Sequence, residues 1–495
     1  MNRYILFILI FFAGASTCHA EFVFTAGCSR AYTEVMNLNF VNARKILETE
    51  EKSNPRNFIP EYIESYIDFL TAFISEEEND FKNLKTKRAE RLNRIEEENE
   101  NSPYYLLVKA EMNLQEAVVK IKFEEYLTAA IEFRKAYRQL ESNQEKFPDF
   151  VPNKKCLGIL HALIGAVPSN FKWATNLLGF RGTIPQGLNE LRDLLKISET
   201  DANYTHLYDE TIIMLMFFEF HLLENNQSAM ELAGKIEDKK LNQLHLFALV
   251  SIYLYSAQNE KCIELLSHRV KNKDEFPLHY LDFMLGMAKL NKLDMSAGPY
   301  FESYTQNYKG ESFVKAAYQK LGWIGLLNGD TTAYFLNMKS AKEKSDDFTD
   351  EDIQALKEAE AGVIPNIYLL RARLLFDGGY YDRSVSEISG KPISCFPKFR
   401  DQLEFTYRLA RIYDKQGKKD KAIANYEKTI KNGEDYRFYF AANSALYEGL
   451  IYENLSDTVN ATRCYQKCLS MRNHEYQNSI DQKAESGLNR LNSKH

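Results

Sequence analysis

The chain of 495 residues is poor in glycine (22) and proline (12) but 13% aromatic, a composition that argues against β-barrels, β-sandwiches and disordered tails. Its net charge of −7 argues against a nucleic-acid binder, which would normally present a basic stripe. The length exceeds what one compact core usually holds, so we expect several domains or an array of small repeated units.

Residues 1–20 have the pattern of a secretory signal peptide. Arg3 supplies a positive charge, residues 4–13 are apolar, and small residues lead up to Ala20. We expect cleavage after Ala20, which places the mature chain in the periplasm or cell envelope. Two alternatives stay open, lipidation at Cys18 as in a bacterial lipoprotein, and release to the exterior. An uncleaved anchor is disfavoured because ten apolar residues cover about half of a bilayer.

Residues 21–147 predict N-terminal helical hairpins. Small and aromatic residues follow half of a two-helix frame at Ala117, Tyr126, Ala129, Phe133 and Ala136. Residues 76–101 are highly charged, with apolar residues at helical spacing, and predict a solvated helix.

The segment 148–198 differs from its surroundings because it concentrates glycines, prolines and one of the two tryptophans. Its residues 157–167 predict an apolar helix, which is expected either to insert into the helical array or to form an exposed contact face. Five of its glycines lie close together in sequence, at Gly158, Gly165, Gly179, Gly182 and Gly187.

Two-helix units recur through the rest of the chain. We expect degenerate repeats over 199–340, a charged helical connection over 341–362 with a helix start near Thr349, and regular repeats over 363–495. The clearest copy consists of Thr406, Leu409, Ala410, Tyr413, Gly417, Ala422 and Tyr426. In this copy Ala410 and Ala422 are the small residues where two helices touch, and Gly417 ends the first helix.

This pattern resembles the tetratricopeptide repeat (TPR). The resemblance implies an all-α fold, namely a TPR-like α–α superhelix, or right-handed solenoid of antiparallel helix pairs, that binds partners on its concave side. Residues 110–191 are also similar to the animal and fungal mitochondrial outer-membrane and inclusion-body-clearance TPR proteins, which are α-helical binding proteins. The export signal departs from those proteins, and the general style resembles exported TPR proteins of Bacteroidetes-type bacteria.

The sequence contains no motif for catalysis, phosphate binding or metal binding. We expect His161, His221 and His245 to be core or capping residues, and the cysteines are too sparse for a disulfide framework. We therefore expect a protein that is not an enzyme and has no cofactor or metal. After residue 20 we expect no membrane span, because the best candidate, residues 212–218, is short and predicts a buried helix face.

The TPR resemblance also assigns residues to the groove on the concave side. In the clearest repeat and the one before it, the groove positions are Arg373, Glu404, Tyr407, Arg411 and Asp414. Arg373 and Arg411 would form a basic ladder that grips a carboxylate or an acidic peptide, because a planar guanidinium binds carboxylates bidentately. In the alternative interpretation each arginine is neutralised by a groove acid such as Asp377 or Asp414.

Together these features predict a non-catalytic, exported TPR scaffold that binds a protein or peptide partner in its groove. One alternative is a ligand or lipid carrier that uses the apolar segment 157–180. Another is the recognition arm of an envelope complex or enzyme. Peripheral association with the envelope fits all three, and no motif indicates the identity of the partner or the oligomeric state.

Overall fold

The computed structural model describes residues 22–96, 100–167, 172, 179–344 and 349–492. The predicted signal peptide, with Ala20 and Cys18, lies outside the described residues, as does most of the stretch 168–178. Within the described ranges the chain is mostly α-helical and contains no β-strand. The prediction of an all-α, TPR-like fold is confirmed.

The chain divides into two compact units, the first comprising residues 1–244 and 272–277. Its described helices are α1 (Ala26–Met36), α2 (Phe40–Ser53), α3 (Ile59–Ser75), α4 (Glu78–Ile95), α5 (Pro103–Lys122), α6 (Tyr126–Lys146), α7 (Asn153–Ala166), α8 (Ile184–Thr200), α9 (Tyr208–His221) and α10 (Asn226–Glu237). Consecutive helices pack as pairs, from α1 with α2 to α9 with α10. Short connections make the two helices of a pair antiparallel.

The second unit comprises residues 245–271 and 278–495. Its helices are α11 (Gln243–Tyr255), which begins at the boundary, α12 (Asn259–Ser267), α13 (Tyr280–Asn291), α14 (Gly298–Asn307), α15 (Val314–Leu327), α16 (Thr331–Glu343), α17 (Asp350–Ala361), α18 (Ile367–Asp377), α19 (Tyr381–Ile388), α20 (Phe399–Lys415), α21 (Lys419–Gly433), α22 (Phe440–Asn454), α23 (Thr458–Ser470) and α24 (Gln477–Asn492). Helices α13 with α14, α15 with α16, α18 with α19, α20 with α21, and α22 with α23 pack as pairs.

The repeat residues identified in the sequence lie where these pairs touch. Ala410 of α20 and Ala422 of α21 are both fully buried, in one cluster with Tyr407 and Tyr426. Small residues at this contact let the two helix axes approach while the tyrosines fill the space beside them. Gly417 follows the last turn of α20 with φ of +72°, a left-handed conformation that glycine adopts without strain.

The glycines of segment 148–198 serve a close contact between α7 and α8. A Cβ added at Gly187 would lie 2.3 Å from the carbonyl oxygen of Gly158 and 2.5 Å from the amide nitrogen of Ala162. Because both neighbours are backbone atoms, the contact has no room for a side chain. The segment, expected either to insert into the array or to expose a face, contributes α7 as the first helix of a regular pair, although Leu163 on it is 43% exposed.

The core of the first unit contains an ionic cluster around Lys155, which is 2% exposed. Its ammonium lies 3.1 Å from Glu111 Oε1 and 3.1 Å from Glu210 Oε2, and it donates to the Tyr66 hydroxyl at 2.5 Å and to the Tyr32 hydroxyl at 3.3 Å. Burial alone would lower the pKa of Lys155, but the carboxylates of Glu111 and Glu210 raise it well above its usual value. Lys155 is therefore held as a buried cation.

The residues of this cluster come from α1, α3, α5, α7 and α9, the first helices of five successive pairs. Glu111 also accepts hydrogen bonds from the hydroxyls of Tyr62, at 2.5 Å, and Tyr66, and from the Cys156 thiol at 3.1 Å. In a TPR-like array the first helices line the concave side. The cluster links the first helices of the five pairs through buried ion pairs and hydrogen bonds.

Several local predictions are confirmed. Helix α4 buries its apolar positions and exposes most of its charged ones, although Arg88 and Arg91 are largely buried in ion pairs. Helix α9 buries most of the apolar run 212–218, and Thr349 caps α17 through its side chain. His161 and His245 are buried, whereas His221 is exposed at the end of α9, so it is not a core residue. No described helix is both long and apolar enough to cross a membrane.

Candidate functional site

A groove in the second unit brings together residues of α18 and α20, the first helices of consecutive pairs. It encloses a cavity of about 210 Å³. The residues that line it are Ala372, Arg373, Phe376, Asp377, Tyr407, Arg408, Arg411, Ile412 and Tyr439. On each helix the lining residues recur at intervals of three and four, which places them on one face.

Arg411 is held in the groove by aromatic side chains. It donates from Nη1 to the Tyr407 hydroxyl at 3.0 Å, and its Cζ lies 3.6 Å from the ring centroid of Tyr447. Its Nε is buried and has no hydrogen-bond partner among the described residues. Asn443 also donates to the Tyr407 hydroxyl at 2.8 Å, which fixes this tyrosine in turn. The guanidinium is therefore fixed in position while part of its hydrogen-bonding capacity is unused.

Arg373 lies on the neighbouring helix in a comparable setting. Its Cζ is 4.4 Å from the ring of Trp323, a cation–π contact. Within the described part of the chain, neither Arg373 nor Arg411 has a carboxylate within 4.0 Å. The alternative in which Asp377 or Asp414 forms an ion pair with these arginines is not seen in this geometry.

Arg408, the third arginine of the groove, is neutralised. Its guanidinium bonds to Glu404 Oε1 at 2.7 Å from Nε and 2.5 Å from Nη2. Burial alone would raise the pKa of Glu404, but Arg408, Arg373 and Arg400 outweigh it and hold that pKa below its usual value. Glu404 therefore stays ionised as an internal partner.

Of the five residues predicted for the groove, Arg373, Tyr407 and Arg411 line the cavity. Glu404 is buried against Arg408, and Asp414 is half-buried outside the cavity lining. That all five bind a partner stays a prediction. Phe376, Tyr439 and Arg408 also line the cavity but are not among the residues predicted for the groove. The pairing of Arg408 was open to prediction, because Glu404 and Arg408 stand at i and i+4, a spacing that favours an ion pair on a helix.

A second cavity, of about 430 Å³, lies within the first unit. It is formed by α2, α3, α4 and the segment 273–277, and its lining contains acids and bases together. Asp68, which is 8% exposed, is held there by Lys87 at 2.7 Å and Arg91 at 2.7 Å. The buried acid of this cavity is therefore paired with bases of the chain itself, whereas Arg373 and Arg411 of the groove have no such ion pair.

The described residues do not assemble a metal site or a disulfide. No group of three or more His, Cys, Asp or Glu side chains in the described ranges has metal-binding geometry, and the six cysteines there are free. In the segment proposed for lipid binding, Leu157 and Leu160 are buried in one cluster with Ala136, Tyr137 and Leu140. Those two side chains serve the core of the first unit, and much of the segment 157–180 lies outside the described residues.

Comparison with known proteins supports the repeat assignment in this unit. Residues 403–432, which span most of α20 and α21, match the tetratricopeptide repeat family. No curated protein matches the chain. The second unit therefore contains a TPR, in the hairpin that supplies Tyr407 and Arg411.

Solved structures with detectable similarity share little sequence with the chain. The TPR domain of P58(IPK) is 12% identical, with 83% of this chain and 96% of that one covered and a TM-score of 0.22. Naa15/Naa10 bound to HypK-THB is 13% identical, with 94% of this chain and 66% of that one covered and a TM-score of 0.26. The APC/C hetero-tetramer Cut9–Hcn1 is 12% identical, with 93% of this chain and 95% of that one covered and a TM-score of 0.23. Similarity at this level carries no information about the partner of this chain.

Proposed function

We propose that the chain is a non-catalytic, exported scaffold whose second unit binds an acidic segment of a partner protein. The observation that carries this proposal is the pair of arginines in one cavity, Arg373 and Arg411, without a carboxylate within 4.0 Å among the described residues. A guanidinium remains charged at any physiological pH, so two of them side by side attract an anion.

Charge and shape both favour an acidic peptide. Three arginines and one aspartate line the groove, whereas the whole chain has a net charge of −7. Glu404 offsets Arg408, and Asp377 interacts electrostatically with Arg373, Arg408 and Arg411, so the three arginines of the groove exceed its two acids by one charge. The walls of Phe376, Tyr407 and Tyr439 supply apolar contact area beside the charges, as peptide-binding grooves commonly do.

Export is part of the proposal and is supported by the N-terminal pattern. Cleavage after Ala20 would leave a mature chain that begins at Glu21. N-terminal sequencing of the protein from its own cells tests this directly. A mature chain that retains Met1 would remove export from the proposal. A chain that begins at a lipid-modified Cys18 would show that the exported protein is anchored to a membrane by its lipid.

The groove is tested by cross-linking and pull-down from the native cells. We compare the unsubstituted mature chain with the double variant Arg373→Glu/Arg411→Glu. The matched control is Lys428→Glu/Lys431→Glu, which reverses two exposed charges on α21, the second helix of its pair. We expect the control to recover the same partner and the arginine variant to lose it. Equal recovery by both variants would reject the groove.

A further inference from the structure

Next to the groove, α15 carries a lysine in an unusual setting. Lys320 is 7% exposed, and its ammonium donates to Gln319 Oε1 at 2.5 Å and lies 3.9 Å from the ring centroid of Trp323. Within the described ranges no carboxylate lies within 4.0 Å of it. Buried lysines are normally paired with an acid, so this cation lacks its usual counterion.

Arg373 brings a second cation to the same aromatic ring. Its Cζ lies 4.4 Å from the Trp323 centroid, on the ring that Lys320 also contacts. Burial first, and then the charge of Arg373, lower the pKa of Lys320 to about 7. The charged groups that face Lys320 from the packed helices are Arg373 and Asp377 of α18 and Glu351 and Glu358 of α17, and the acids only partly offset this shift.

Glu358 fixes the geometry around these cations. It accepts hydrogen bonds from Trp323 Nε1 at 2.8 Å, from the Tyr334 hydroxyl at 3.1 Å and from Gln319 Nε2 at 2.7 Å. Because the amide nitrogen of Gln319 is used in this way, its oxygen faces Lys320. Glu358 thus positions the aromatic ring and the amide, and its two oxygens are occupied by neutral donors.

We propose that Lys320, Trp323 and Arg373 form a second carboxylate site, which receives one acidic group of the same peptide that the arginine groove binds. The inference rests on the proposed function, and it extends the ligand from α20 across α18 to α15. A bound carboxylate supplies the counterion that both cations lack, and Arg373 joins the two sites because it also lines the groove cavity. The ligand class is a peptide with at least two carboxylates.

The test uses Trp323 as its own reporter. The chain has two tryptophans, so Trp173→Phe leaves Trp323 as the only one. The probes are acetylated, amidated tetraglutamate, the matching tetraglutamine, and acetylated tetraglutamine with a free terminal carboxylate. The last probe separates a chain terminus from an acidic side chain as the source of the carboxylate. Binding is followed by Trp323 emission and by calorimetry.

At pH 6.5 we expect tetraglutamate to bind and to change the Trp323 emission, and Lys320→Met to weaken its affinity at least tenfold. Lys315→Met is the matched control, a buried lysine on the same helix at 4% exposure, and should change affinity less than about twofold. Because a carboxylate binds the protonated amine, affinity of the unsubstituted site should fall about 30-fold from pH 6.5 to 8.5. Lys320→Arg, which keeps its charge, should remove this dependence.

The outcomes separate the two proposals. In one outcome tetraglutamate binds through Arg411, but neither Lys320→Met nor pH changes its affinity and the Trp323 emission does not change. That result overturns the second site and leaves the groove proposal standing. If none of the probes binds the unsubstituted protein, both proposals are overturned. If only the free-terminus peptide binds and depends on Lys320, the requirement for two carboxylates is overturned and the site takes a chain end instead. Circular dichroism verifies that each variant is folded, and the pH profile of the unsubstituted protein tests the site without any variant at this position.

Discussion

Replacing Lys155 by methionine removes the cation at the centre of the first unit. The change keeps the side-chain length but leaves Glu111 and Glu210 without the ammonium that each approaches at 3.1 Å. Glu111 is 3% exposed, so its carboxylate would remain in the core as a buried charge or take up a proton. We expect Lys155→Met to destabilise the first unit strongly.

Breaking a buried ion pair by removing one partner costs about 3–5 kcal/mol. Glu111 keeps hydrogen bonds from Tyr62, Tyr66 and Cys156, which moderates the loss, and we expect about 4 kcal/mol. For a unit of this size, that loss lowers the melting temperature by about 8–16 °C. Hydrogen exchange of peptides from α3 and α5 under increasing urea measures the first unit within the full chain.

The double variant Lys155→Met/Glu111→Gln is the control, because it removes both charges of the more deeply buried pair while nearly preserving shape, and leaves only the partly exposed Glu210. We expect it to recover at least half of the lost stability, since neutral replacements of buried ion pairs are often tolerated. A loss below about 1 kcal/mol in Lys155→Met would refute the reasoning. So would a double variant that is less stable than the single one.

Three further predictions concern other buried features. Gly187→Ala should cost about 1–3 kcal/mol in thermal unfolding, because its methyl group would meet the backbone of α7 at 2.3 Å. Burial lowers the pKa of His206 to about 3, so the unfolded chain binds the extra proton below pH 6.5 and stability falls with falling pH. His206→Phe should remove about 2 kcal/mol of the loss in unfolding free energy between pH 6.5 and 4.5, measured by urea unfolding. Burial raises the pKa of Glu448 to about 6, so stability is lost as pH rises past 4.5, and Glu448→Gln should stabilise the second unit by about 2 kcal/mol at pH 8 in calorimetry.

Each of these predictions has an internal comparison. Gly234→Ala, where the added methyl group meets nothing within 4 Å, should be neutral or slightly stabilising, and equal destabilisation by both alanines would contradict the packing argument. If the unfolding free energy of His206→Phe falls with pH as steeply as that of the unsubstituted chain, the histidine is not held neutral in the folded state. The gain in unfolding free energy from Glu448→Gln should be smaller at pH 4.5 than at pH 8. A gain that does not depend on pH would show that packing, and not the buried charge, causes it.

The repeat frame is the part of the fold that sequence spacing predicts well. Ala410, Ala422 and Tyr426 repeat a pattern that local helix geometry imposes, so the hairpin α20–α21 follows from the residues themselves. The stretch 199–340, where degenerate repeats are expected, also contains a helix pair, α15 with α16. The sequence shows a cluster of glycines near residue 187, but it does not show that they allow α7 and α8 to pack closely. That contact depends on the relative position of two helices.

The groove was predictable only in part for the same reason. The TPR resemblance assigned Arg373, Tyr407 and Arg411 to one groove, and these three residues line one cavity. Spacing could not show that Glu404 pairs with Arg408, or that Lys320 and Arg373, from helices far apart in sequence, contact the same Trp323 ring. Ion pairing and burial depend on distances between helices, which no single-helix pattern contains.

The all-helical class and the two-helix units follow from the sequence, because backbone geometry and the periodicity of apolar residues impose them. Which charges are neutralised depends on contacts between helices that are distant in sequence. In the first unit, five helices converge on Lys155, which pairs with both Glu111 and Glu210. In the second unit, Arg373 and Arg411 lie against aromatic rings, because Trp323 and Tyr447 come from other repeats.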